Sequence, residues 1–96
     1  MKRPSVRQKR RNIVGDRIRE ARTAGKTPLT QDQLAGKLAT KGVSLDRVAI
    51  TKVECGLRCV YDFEVRALAE VLRVDVAWLL GTGKQPRPTK ARPRAS

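Results

Sequence analysis

Arg47, Val48, Thr51 and Lys52 recur at a spacing that places them on one side of a helix, with Ile50 and Val53 on the other. A face with two cations, a hydroxyl and one apolar side chain has the chemistry to read base edges. Arginine bonds guanine in bidentate fashion, and an apolar group contacts the thymine methyl. The plainer reading is a solvated surface helix with ordinary Lys and Arg. The other reactive candidates are two thiols, Cys55 and Cys59, in a chain with no His. Two cysteines alone do not complete a zinc site, and no neighbouring base is evident to activate either as a nucleophile. We therefore expect reduced thiols, no metal, no cofactor and no enzyme activity, with some exposure at Cys55.

The elements that must position this face are legible on both sides of it. Thr30 is a good N-cap for a helix starting at Gln31, in which Leu34, Ala35 and Leu38 form the buried stripe. Eleven residues separate Leu38 from Ile50. Ala39 to Lys41 are read as an extra helical turn, Gly42 as a left-handed stop, and Gly42 to Leu45 as the connection. Asp46 caps the helix that begins at Arg47, and Leu45 and Ile50 have the spacing of a hydrophobic staple. Gly36, inside the earlier helix, is read as a mark of close packing. The pair is a candidate helix-turn-helix.

Asn12 to Ala24 reads as a first helix, with Val14, Ile18 and Ala21 inward. Arg22 borders that apolar face and so needs a partner. Gly25 and Pro28 interrupt the chain before Leu29. After Gly56 comes a loop with Arg58, then a helix capped by Asp62 with Glu64 in its first turn and Val65, Leu68, Ala69 and Leu72 inward. Val74 and Asp75 lead into a short helix carrying Val76, Leu79 and Leu80, stopped by Gly81. Trp78, in that helix, is either a packing residue or an exposed anchor for a weak homodimer.

Charge divides the 96 residues differently. Residues 1–11 hold six Lys or Arg and residues 82–96 hold five, with no acid in either. The remaining 11 bases face all 9 acids within 12–81, so the folded part carries +2 of the overall +13. We expect three regions: a disordered basic arm at 1–11, one domain at 12–81, and a disordered Pro-rich basic tail at 82–96. Such tails suit a polyanion, with phosphate contact the favoured role for the arm. No signal-peptide or transmembrane run is apparent, so a cytoplasmic protein with no membrane partner is expected.

In this order and spacing, Ile18-Arg19 with Arg22, Leu29-Thr30-Gln31, Leu34-Ala35, Leu38, Ile50 to Gly56, Leu68-Ala69, Leu72, Val74 and Trp78-Leu79-Leu80 resemble the Cro/repressor-type (xenobiotic-response-element-like) helix-turn-helix family of prokaryotic regulators. The resemblance spans 12–81, and the connection between helices 2 and 3 is longer than usual for the family. It implies an all-α, compact five-helix bundle of lambda-repressor-like fold and a sequence-specific transcriptional regulator, for example a repressor, that binds double-stranded DNA. Helix 3 would lie in the major groove, with Arg47, Val48 and Lys52 facing bases and Thr51 beside them. Gln31 would contact a phosphate and brace the first turn of helix 3, and Arg58 would lie in a phosphate-binding loop. Arg22 and Glu54 would pair, joining helix 1 to the end of helix 3. Two rivals stand beside this reading: an antitoxin-type or other protein-partner module, and an RNA-binding protein. The first lacks apolar anchors in its tails. The second lacks an evident aromatic platform for unpaired bases.

Overall fold

A computed structural model describes residues 10–25 and 27–83. The expected disordered arm and tail therefore lie largely outside the described residues. Those described contain five helices and no strand: α1 (Gly15–Ala24), α2 (Gln31–Ala39), α3 (Arg47–Glu54), α4 (Asp62–Leu72) and α5 (Val76–Leu79).

Helices α2 and α3 start where short polar side chains take up free amides. Thr30 and Gln33 form a reciprocal box at the start of α2: Thr30 Oγ1 accepts from the Gln33 amide at 3.0 Å, and Gln33 Oε1 accepts from the Thr30 amide at 2.9 Å. Asp46 Oδ1 accepts from the Ala49 amide at 2.8 Å and so caps α3. Gly42 (φ +81°) follows α2 and Gly56 (φ +78°) follows α3, both in the left-handed region where a Cβ is disfavoured.

Three boundaries depart from the sequence reading. Helix α1 begins at Gly15, not Asn12, because the Asn12 side chain takes the amides of Val14 (3.1 Å) and Gly15 (2.8 Å). Helix α2 ends at Ala39, because the amides of Gly42 and Val43 fold back onto the carbonyls of Ala39 and Leu38 (both 3.0 Å). At α4 the cap position belongs to Tyr61 rather than Asp62. Glu64 Oε1 reaches back to the Tyr61 amide at 3.0 Å, and that bond fixes the start of the helix.

One aliphatic core joins all five helices. Ile18, Leu34, Leu38, Ile50, Leu68 and Leu79 are almost wholly excluded from solvent, with Val43, Leu45 and Val74 added from the connections. Helix α3 packs on both α1 and α2, while α4 closes the other side with α5. Burial of side chains such as these stabilises by about 1.5–3 kcal/mol each before conformational entropy is subtracted. Gly36 is exposed and open, with no neighbour near the position of a Cβ, so it marks no close packing.

Candidate nucleic-acid interface

Helix α3 has an engaged side and an open side. Ile50, Val53 and Glu54 are buried. Arg47, Val48, Thr51 and Lys52 are exposed, and Val48, an apolar residue, is 56 % exposed. Arg47 makes a loose pair with Asp32, Nε to Oδ1 at 3.7 Å, with both side chains mostly in water. A pair of that kind is worth about 0–1 kcal/mol, so the guanidinium is free to leave it.

Thr51 is less available than the other three. Its hydroxyl is 2.9 Å from Gln31 Oε1 and 3.0 Å from the Arg47 carbonyl, so its one proton goes to one of these acceptors. Gln31 in turn donates from Nε2 to Glu54 Oε1 at 3.1 Å. The amide orientation follows from chemistry: a carboxylate only accepts, so the nitrogen must face Glu54. Gln31 thus braces α3 at Thr51 and Glu54, in its middle and at its end, not at its first turn. Leu34 of α2 and Ile50 of α3 belong to the same core, and the two helices pack on each other.

The end of α3 is held firmly. Arg22 Nε donates to Glu54 Oε2 at 2.7 Å and Nη2 to Oε1 at 2.9 Å, a bidentate pair with side chains only 12 % and 5 % exposed. A third donor, Nη1, bonds the Leu29 carbonyl at 3.0 Å, and the Leu29 amide returns a bond to the Arg22 carbonyl at 3.0 Å. This clasp spans the connection between α1 and α2. Burial explains the pairing: a lone charge at this depth would cost several kcal/mol, and each ion removes that penalty for the other.

Two further residues at this end, Asn12 and Gly15, also hold α3 in place. Asn12 Nδ2 donates to the carbonyls of Val53 (3.0 Å) and Arg58 (2.8 Å), tying the loop after α3 back to the helix. Gly15 lies so close to α3 that a Cβ would overlap the Val53 carbonyl oxygen. The positive N-terminus of α1 therefore abuts carbonyls at the negative end of α3. Asn preceding a helix is a recognisable cap signal; the approach at Gly15 is tertiary and leaves no local pattern.

Arg58 is also engaged. Its Nη1 lies 3.1 Å from Glu64 Oε1 and 2.8 Å from the Cys59 carbonyl, and the side chain remains 30 % exposed. Glu64 is buried, so its charge needs this partner. Arg10 packs over Gly56, and the Arg11 amide donates to the Gly56 carbonyl at 2.8 Å. Arg10 and Arg11 thus meet the domain at the end of α3.

No family model, curated protein or solved structure matches the chain. The reading of the surface rests on its own chemistry. Trp78 does not belong to that surface: it is 6 % exposed, with the Arg17 guanidinium 5.0 Å from its ring centroid and Arg17 Nη1 donating to its carbonyl at 3.1 Å. The indole is a core side chain covered by a cation, not an exposed dimer anchor. In a chain with three aromatic residues, its largest side chain fills the space between α1 and α5. Cys55 and Cys59 are free and exposed. Among the described residues no cluster of His, Cys, Asp or Glu could hold a metal, and no helix is long and apolar enough to cross a membrane.

Proposed function

We propose that the chain is a sequence-specific double-stranded-DNA-binding regulator of the Cro/repressor-like helix-turn-helix type, with α3 as the helix that enters the major groove. The observation that carries this reading is the division of α3. Its inner side and end are fixed by Arg22, Gln31 and Asn12, while Arg47, Val48 and Lys52 stand outward with at most a loose surface partner. A reader needs that combination, because a base contact discriminates only when its backbone is held in place. An eight-residue helix is about 12 Å long, comparable with a major groove about 12 Å wide.

In this reading Arg47 and Lys52 bond base edges, Val48 meets a thymine methyl, and Thr51 and Gln31 chiefly hold the helix in register. Arg58 holds Glu64 and offers its remaining N–H groups to a phosphate. The overall charge of +13 supplies affinity without sequence preference. The reading is of a binding protein, not an enzyme. Pairing of two copies on adjacent half-sites would use surface other than Trp78, such as Val76 and Leu80, each 39 % exposed.

Selection from a pool of random duplexes tests the proposal. One short recurring sequence should be enriched, protected in footprinting, and lost when Arg47, Val48 and Lys52 are together replaced by Ala. Retention of all sequences alike would leave only non-specific phosphate binding and refute it.

A further inference from the structure

Tyr61 and Phe63 are two of the three aromatic residues in the chain, and neither joins the core. They are 61 % and 59 % exposed, with ring centroids 5.6 Å apart and planes 14° from parallel. The two rings stack on each other, and both residues stay largely open to water. The pair is rigidly based. Tyr61 is the cap position of α4, its amide held at 3.0 Å by Glu64 Oε1, and Glu64 is locked by Arg58. Arg58 is tied to this base through Glu64, and Arg10 and Arg11 lie at Gly56, two residues before Arg58 in the same loop. Acids are present too: Asp62 lies exposed between the two rings in sequence, and Asp16 pairs loosely with Arg10 at 3.5 Å.

We infer that Tyr61 and Phe63 form a stacking platform for unpaired nucleobases, giving the protein a second binding mode for single-stranded nucleic acid. Stacked, exposed rings with an arginine at their base suit such a strand: bases stack on the π-faces while cations follow the phosphates. The occupant is chosen by charge complementarity: the chain carries +13, and Arg58 at the base of the rings keeps part of its guanidinium open to solvent. This mode is separate from duplex reading, because none of Arg47, Val48 and Lys52 is needed for the stack.

The test uses the full chain and fluorescence anisotropy with labelled oligothymidine and oligouridine, which separate a DNA strand from an RNA strand. Tyr61→Ala and Phe63→Ala should each weaken single-strand binding roughly fivefold to a hundredfold while leaving its salt slope intact. Tyr61→Phe and Phe63→Tyr keep an aromatic face and should bind as wild type does. Both positions are exposed and Glu64 bonds only the backbone of Tyr61, so the alanine variants should retain the wild-type melting temperature. Arg47→Ala with Val48→Ala should preserve single-strand binding, so failure of the duplex reading and failure of this one are distinguishable. Equal binding by wild type and the alanine variants, or no binding of either oligomer by wild type, would overturn the inference. So would a loss of self-association in the alanine variants without a loss of oligomer binding, which would make the rings a contact between copies.

Discussion

At its C-terminal end α3 is gripped from three directions. Arg22 and Gln31 hold Glu54, Asn12 holds the Val53 carbonyl, and Gly15 lets α1 press against the last turn. At its N-terminal end the helix has its Asp46 cap, the buried Leu45 behind it, and a 3.7 Å surface pair from Arg47 to Asp32. One end is built as an anchor and the other as a presented surface. Substitutions at the anchored end should therefore act on stability, and those at the presented end on recognition.

The largest effect should come from the anchor. Arg22→Ala or Glu54→Ala strands one buried charge and should cost about 3–5 kcal/mol in chemical denaturation. A loss below 1 kcal/mol would mean that the pair is solvated and that α3 is held by apolar packing alone. Gly15→Ala comes next: the new methyl must push α1 away from the Val53 carbonyl, at a cost of about 1–3 kcal/mol. The same change at Gly36, which is exposed and open, should instead stabilise by up to about 1 kcal/mol through helix propensity. Opposite signs at two helical glycines would show that packing at Gly15, not backbone preference, sets its identity. Asn12→Ala removes a cap and two carbonyl bonds and should cost about 1–2 kcal/mol, read as a lower melting temperature. The smallest stability effect should be that of Asp32→Ala, within about 0.5 kcal/mol, because its pair with Arg47 is exposed. If it destabilised as much as Arg22→Ala, the contrast between the two ends of α3 would be gone.

Most helices could be read directly because their signals are local. Thr30, Asp46 and the apolar stripes of α2 to α4 each depend on residues within one or two turns. The need of Arg22 for a partner was visible in its position beside an apolar face, but its partner Glu54 lies 32 residues away and came from family resemblance rather than spacing. What stayed hidden is tertiary. Asn12 looks like the first residue of a helix until its amide is seen bridging Val53 and Arg58. Gly15 differs from Gly36 only in what packs beside it. Arg58 reads as a loop cation open to phosphate, because nothing local shows that Glu64 is buried and demands a partner. Among the aromatics, composition gave no reason for Trp78 to be inside and Tyr61 and Phe63 outside. That choice depends on the space between α1 and α5.

In the proposed function α3 supplies specificity, and the charge outside it supplies general affinity. The most direct measurement is a salt titration of binding to a selected duplex and to its scrambled version, by wild type and Arg47→Ala. Arg47→Ala should reduce affinity for the selected duplex by about 1–3 kcal/mol, relax preference at one or two base pairs, and barely change binding to the scrambled one. The slope of log K against log salt should remain steep for both proteins, at about 0.9 per phosphate contact. Equal weakening on the two duplexes would make Arg47 a phosphate contact and contradict the assignment of α3 as the reader.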